Sequence, residues 1–202
     1  MGRFQKPKSI YITGSYLVHM VQKRDNLELD VIEQLLRADN HVRGMAKKLN
    51  GSHSTILRKL NNLKKENVID SRREGKNKIF FLKDNLVSKT YIQQAELHKL
   101  TKLLRNNPEL SIIFEEILKK TDEKLIVPFG SYTKGLAKKD SDIDIYIETK
   151  SRSVKKAVED IHSKINVKIG TFDIKSPLIK EIIKDHVILR GIEVFYDKQV
   201  PE

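Results

Sequence analysis

The chain has no cysteine, so neither a disulfide framework nor a cysteine-based zinc site can hold it together. That absence is compatible with a reducing interior. No apolar run approaches the length needed to span a bilayer, and the first residues lack a clean apolar block followed by a small-residue cleavage site. The expectation is a cytoplasmic protein without a membrane partner. The six histidines are scattered singly. His162 and His186, in segments of helical pattern, have no serine or cysteine nucleophile patterned beside them and read as surface or partly packed residues.

Charge is what the chain has in excess. Of 202 residues, 33% are charged and 39% hydrophobic, which suits a soluble protein with one sizeable core or two small ones, yet the net charge is +12. Residues 1–100 carry 20 Lys and Arg against 10 Asp and Glu, whereas residues 101–202 carry 19 against 17. The excess is thus +10 in one half and +2 in the other. A basic half joined to a near-neutral half implies that one part meets a polyanion while the other does something else.

In the basic half, Leu27, Val31, Leu35 and Ala38, with Ile32 and Leu36 beside them, recur at helical spacing and predict an amphipathic helix from Leu27 to Asp39. Glu28 and Asp30 in its first turn suit the positive end of the helix dipole. A short helix from about Val42 to Leu49 ends at Asn50-Gly51, two residues that tolerate the left-handed conformation. Ser52 is an N-cap candidate for a third helix with Ile56, Leu57, Leu60 and Leu63 inward and Thr55, Arg58, Lys59, Asn62 and Lys65 opposite. Two short strands, Val68–Asp70 and Lys78–Leu82, follow, joined by residues 71–77 with Gly75 supplying the turn.

Three helices and a basic hairpin over residues 27–83 resemble the winged helix-turn-helix of transcription regulators. The resemblance implies duplex DNA as partner. Ser52, Ser54, Thr55, Arg58, Lys59 and Asn62 would face the major groove, and Arg72, Arg73, Lys76 and Lys78 would reach flanking phosphates from the wing. Residues 41–83 alone hold 12 Lys and Arg against 3 Asp and Glu. Nothing in the segment reads out a base sequence.

Leu86 to Asn106 lacks Gly and Pro and carries a helical stripe of Tyr91, Ala95, Leu100, Leu103 and Leu104, broken by Asn106-Asn107-Pro108. A second helix from about Pro108 to Lys120 places Ile112, Ile113, Phe114 and Ile117 inward. The pair reads as a connector over residues 86–123, either a spacer or a homodimer interface.

The second half carries the chemistry. Leu125–Phe129 reads as a buried strand that runs into Gly130-Ser131-Tyr132, and residues 132–141 as a short helix and loop carrying Lys134, Lys138 and Lys139. In Asp142-Ile143-Asp144-Ile145-Tyr146-Ile147, carboxylates alternate with apolar residues, so period two puts both aspartates on one strand face. Two adjacent acids repel each other unless a divalent cation neutralises both. Phosphoryl-group chemistry on a nucleoside triphosphate needs Mg²⁺, often with a second ion, and hence a third carboxylate. Asp173, in the strand-like segment from Lys168 to Ile174 with Phe172 and Ile174 inward, is the candidate. Gly130 would let the backbone approach phosphates, and the hydroxyl and N–H of Ser131 would bind them. Tyr132, Lys134, Lys138 and Lys139 could line a triphosphate channel, although lysines in a loop are usually solvated.

Gly-Ser, Asp-x-Asp and a later Asp, in that order over about residues 124–197, resemble the DNA polymerase beta-like nucleotidyltransferase superfamily and its minimal branch. A helix from about Ser153 to Lys164, and another over Pro177 to Leu189 before Ile192 to Tyr196, agree in order. The overall fold expected is α+β. The resemblance implies Asp142, Asp144 and Asp173 as catalytic residues and Mg²⁺ ligands, Asp173 commonly as the base, with Gly130, Ser131, Tyr132 and Lys138 around the nucleotide. It implies transfer of a nucleoside monophosphate, usually AMP from ATP, to an acceptor hydroxyl. Relatives of the minimal branch often modify a HEPN-type toxin partner, but a fused winged helix departs from that pattern and suggests a regulator. The rival is a DNA-binding transcription regulator whose nucleotidyltransferase fold senses nucleotide or dimerises. Modification of an aminoglycoside or an RNA end has less support in so short a catalytic half. A similar-looking run, Gly14-Ser15-Tyr16 followed by Glu28-Leu29-Asp30, is rejected as a second copy because Glu28 and Asp30 open an amphipathic helix; residues 1–26 stay unassigned.

Overall fold

The computed structural model describes residues 26–199. Gly14-Ser15-Tyr16 and nearly all of the unassigned N-terminal segment lie outside that range. Helix α1 (Leu27–Arg37) buries Val31, Ile32 and Leu35, one stripe of the expected periodicity, and a two-residue strand β1 (Asn40–His41) follows. Helix α2 (Val42–Lys48) gives way to α3 (His53–Lys65) through Asn50, which adopts the left-handed backbone, and Ser52, which accepts a hydrogen bond from the Thr55 amide at 3.1 Å.

Strands β2 (Ile69–Glu74) and β3 (Asn77–Leu82) pair antiparallel through a two-residue turn at Gly75, whose φ is +60°. The strands run longer than predicted, because so tight a turn lets the ladder continue to its last pair, Glu74 opposite Asn77. Arg72 and Arg73 therefore stand on a strand rather than in a loop, and Lys78 on the strand expected for it. With β1 on the other edge of β3, the sheet order is β1-β3-β2. Helix, strand, two helices and a hairpin form the winged helix-turn-helix arrangement.

Helix α4 (Leu86–Asn106) has the predicted bounds, with Asn85 accepting from the Ser88 amide, but it does not stand apart as a spacer. Its first half packs Tyr91, Ile92 and Ala95 into the winged-helix core; its second half packs Leu100, Leu103 and Leu104 into the core of the C-terminal half. Helix α5 (Glu109–Lys120) buries Leu110, Phe114 and Ile117 in that second core. Ile112, predicted inward, is 71% exposed, since the stripe is set by Leu110, Phe114 and Ile117 at i, i+4 and i+7.

The C-terminal sheet runs β4 (Ile126–Phe129), β5 (Ile143–Glu148) and β6 (Ile165–Gly170), with β4 antiparallel and β6 parallel to β5. Residues 187–190 add an extended edge on β4, Val187 donating to Pro128 and Leu189 to Ile126. This replaces the C-terminal part of the helix predicted to Leu189. Helix α6 (Arg152–Glu159) is the parallel crossover and covers the face of Ile143, Ile145 and Ile147 together with α5. Helices α7 (Pro177–Lys184) and α8 (Ile192–Asp197) cover the other face, where Tyr146, Phe172, Ile179, Ile182 and Phe195 pack. The whole is α+β, and no described helix is long and apolar enough to cross a membrane.

Candidate functional site

Asp142 immediately precedes β5 and Asp144 is its second residue, with the isoleucines between and after them buried. The β4–β5 ladder sets Phe129 opposite Asp144, so the chain leaving β4 turns beside that carboxylate. Gly130 makes the turn at φ +82°, and a methyl group there would run into Oδ2 of Asp144. Only glycine satisfies both the backbone and the space. Thr133 fixes the turn by donating to the Gly130 carbonyl at 3.0 Å, while the Leu136 amide donates to the Ser131 carbonyl at 2.9 Å. Residues 131–135 are a turn rather than the short helix expected.

Burial raises the pKa of Asp144, and the nearby charge of Asp142 raises it further; a 2.8 Å hydrogen bond from Asn166 and the charge of Lys168 oppose the rise. Glu181 of α7 also acts on Asp144, and Lys134, paired with Glu181 at 2.9 Å, is held more basic by that bond. Asn166 is thus in contact with Asp144, a neighbour the sequence did not disclose. Asn166 stands opposite Asp144 in the parallel ladder, but that register is non-local and no pattern within β6 announces it.

The structure does not bring Asp173 to this pair, which corrects the expected three-acid constellation. In the β5–β6 ladder Gly170 is already opposite Glu148, and Phe172 donates its amide to Glu148 at 3.1 Å. Asp173 follows at that end of β5, and Glu148 is four residues, about 13 Å of strand, from Asp144. Its carboxylate accepts from the Lys175 amide at 2.9 Å, an Asx turn leading into α7. Burial of Asp144 beside the charge of Asp142 is a cost that a positive ion would relieve, but Asp173 does not join the two in a three-carboxylate set. A different trio, Asp30, Glu33 and His98, is the metal-ligand grouping found among the described residues, but Lys102 already reaches Asp30 at 3.0 Å and Glu33 at 2.8 Å. An ammonium group there does the neutralising that an ion would do.

Tyr132 follows the Gly130-Ser131 turn, and the Lys138 amide donates to the hydroxyl of Ser141, the residue before Asp142, at 2.8 Å. Tyr132 packs against the C-terminal core and borders two cavities of about 420 and 410 Å³; Lys138 lines the second, with Lys139, His162 and Lys164. Neither cavity is lined by Asp142 or Asp144. His186 is partly buried beside Phe195, its ring 4.3 Å from that ring, and Lys99 lies 3.1 Å from its Nε2.

On the basic half, the outward stripe of α3 is Ser54, Arg58, Asn61 and Lys65, spaced by four, three and four residues. Lys59 and Asn62, assigned to that stripe from sequence, turn instead toward α1, 3.5 Å each from Glu28. They neighbour the buried Ile56, Leu60 and Leu63 on the helix, and the acid on α1 draws them in. Ser52 and Thr55 are occupied with each other in the cap, their hydroxyls 2.8 Å apart. Arg72 is held by Asp39 at 2.7 Å and Glu74 at 2.8 Å and lies over Phe81, whereas Arg73 faces Lys78 directly across the ladder. Like charges so opposed repel, and a phosphate between them removes the repulsion. Exposed Lys76 tops the turn.

Among solved structures the chain is similar to the adhesin competence repressor AdcR from Streptococcus pyogenes, at 17% identity over 51% of this chain and 85% of that one, with a TM-score of 0.38. The transcriptional repressor BigR from Xylella fastidiosa is 13% identical over 37% and 75%, with a TM-score of 0.32. AF1382 from Archaeoglobus fulgidus is 17% identical over 41% and 96%, with a TM-score of 0.36. No curated protein matches the chain. Residues 110–190, from α5 to the extended edge on β4, match the family model of the nucleotidyltransferase domain, and that stretch contains Gly130, Ser131, Asp142 and Asp144.

Proposed function

We propose that this protein is a DNA-binding regulator whose nucleotidyltransferase-type half takes up a nucleoside triphosphate with one divalent cation. The observation that carries the reading is the close approach of Gly130 to Asp144, which puts a side-chain-free backbone turn against a carboxylate that burial and Asp142 make costly to leave uncompensated. Asp142 and Asp144 would hold Mg²⁺, and the turn at Gly130 and Ser131 would receive phosphate oxygens. The cation would supply neutralisation of the triphosphate and polarisation of its phosphoryl groups. The winged-helix half would bind duplex DNA through Ser54, Arg58, Asn61 and Lys65 on α3 and Arg73, Lys76 and Lys78 on the wing.

A second reading, transfer of a nucleoside monophosphate to an acceptor hydroxyl, is favoured by Glu181. The charge of this acid reaches Asp144 from α7, and to serve as the third carboxylate in place of Asp173 it would have to leave Lys134, 2.9 Å away. ATP as donor and a protein acceptor such as a HEPN-type toxin belong to that reading.

One experiment tests both. The full chain is titrated with ATP in Mg²⁺ by calorimetry, and labelled ATP, CTP, GTP and UTP are then incubated with it and with candidate acceptors. Saturable binding weakened at least tenfold by Asp142→Asn with Asp144→Asn, and unaltered by Asp173→Asn, supports nucleotide uptake; equal binding by the double variant defeats it. Label transfer abolished by Glu181→Gln supports the second reading, and absence of transfer removes it.

A further inference from the structure

The larger cavity belongs to neither half alone. Its walls are the C-terminal part of α1, the second half of α4, the turn after Ser131 and the start of the extended edge. Four cationic side chains line it, Arg37, Lys99, Lys102 and Lys134, beside the single carboxylate of Glu33. Each cation has an acid partner: Arg37 with Asp185 at 3.3 Å, Lys99 with Glu96 at 2.7 Å, Lys102 with both Glu33 at 2.8 Å and Asp30 at 3.0 Å, and Lys134 with Glu181 at 2.9 Å. An ammonium group has three donors and a guanidinium five, so these contacts leave donors over. Asn106, Asn107 and Thr133 add neutral polar groups to the lining. About 420 Å³ is room for a small phosphorylated molecule.

Salt bridges made only to dock two halves would close around one another rather than line a cleft of that volume. Burial also makes the Lys99 ammonium less basic despite Glu96, and an additional anion in the cleft would offset that desolvation.

The geometry points to a binding site for a polyphosphate-bearing small molecule in this cleft, held jointly by Arg37, Lys99, Lys102 and Lys134. The site is separate from the carboxylate pair and goes beyond the uptake of a metal nucleotide, because it needs neither Asp142, Asp144 nor a cation. Arg37 belongs to α1, which packs on α3, and Lys134 belongs to the turn that carries Gly130. A ligand bridging them favours the arrangement in which the DNA-binding half is docked on the other, and stabilises it by mass action.

Inorganic triphosphate is the probe, titrated into the full chain in EDTA with heat and Tm as readouts. Saturable binding and a rising Tm are expected. Arg37→Gln with Lys134→Gln removes two charge-assisted contacts at partly exposed positions and should weaken binding at least tenfold while the ligand-free protein still melts cooperatively. Asp142→Asn with Asp144→Asn should bind as well as the parent. The proposal is overturned by the absence of saturable binding, by equal affinity in the Arg37/Lys134 variant, or by loss of binding in the Asp142/Asp144 variant. That last result would assign the phosphate to the carboxylate site.

Discussion

The side-chain amide of Asn166 donates a 2.8 Å hydrogen bond to Oδ1 of Asp144, so the strand next to the acidic pair contributes a neutral donor. The bond stabilises the ionised form of a carboxylate that burial and Asp142 push toward protonation. Replacing that donor by an acid should therefore separate structure from ion binding. Asn166→Asp is expected to lower the Tm in EDTA by about 4 °C, from a loss on the order of 1–2 kcal/mol. Mg²⁺ should restore much of it. A variant whose Tm does not respond to Mg²⁺ would argue against a cation at this position.

The raised pKa of Asp144 has a definite sign in the linkage between pH and stability. A carboxyl more basic folded than unfolded binds its proton more tightly in the folded state, so its contribution is most favourable below the ordinary aspartate range. It is lost as pH climbs through the raised value. Asp144→Asn should accordingly raise the Tm of the metal-free protein near pH 7 by about 2 °C, after discounting for solvent, and have little effect in acid. Mg²⁺ affinity of the parent should fall as pH drops through the same range. Melting curves and calorimetry from pH 4 to 8, values on the order of the carboxylate range, check both.

Gly130→Ala meets two obstacles, a backbone at φ +82° and the Asp144 carboxylate. A destabilisation of about 2 kcal/mol is expected, or a Tm lower by roughly 4–8 °C, together with weaker nucleotide binding. Normal ATP affinity in this variant would separate the turn from the site.

Glu96, fully buried on α4, accepts from the Tyr196 hydroxyl at 2.5 Å and lies 2.7 Å from Lys99 and 3.5 Å from His186. Burial alone would raise its pKa, but the contacts with His186 and Lys99 outweigh it and hold the carboxyl below its usual range. A depressed folded pKa gives stability that is present above the ordinary glutamate range and lost as pH falls through the folded value. Glu96→Ala leaves Lys99 and Tyr196 without this acid and should cost about 3 kcal/mol, with the acid limb of the stability profile flattened. An unchanged limb would show that Glu96 does not join the halves as an ionised group.

On the wing, Arg73→Ala with Lys78→Ala should weaken duplex DNA binding more than Arg72→Ala, because Arg72 is held by Asp39 and Glu74. Each lost phosphate contact should reduce the slope of log affinity against log salt by about 0.9. Fluorescence anisotropy at several salt concentrations measures it, and equal slopes would remove the wing from the interface.

Much of this was legible in the chain because it is local. Apolar spacing gave α1, α3 and the full length of α4, and the alternation of Ile143, Ile145 and Ile147 marked a buried face of β5. The Gly-Ser turn before an alternating acidic strand also marked the stretch that the nucleotidyltransferase domain matches. Where Lys59 and Asn62 turn was not local, since Glu28 on α1 decides it. Nor was the partner of Asp144: periodicity assigns a side chain to a face, but only the pairing of β5 with β6 fixes which residue stands beside it. Parallel register placed Asn166 there and carried Asp173 to the other end of the strand. The cleft between the halves likewise depends on α4 contributing to both cores, a relation among distant residues that no sequence period encodes.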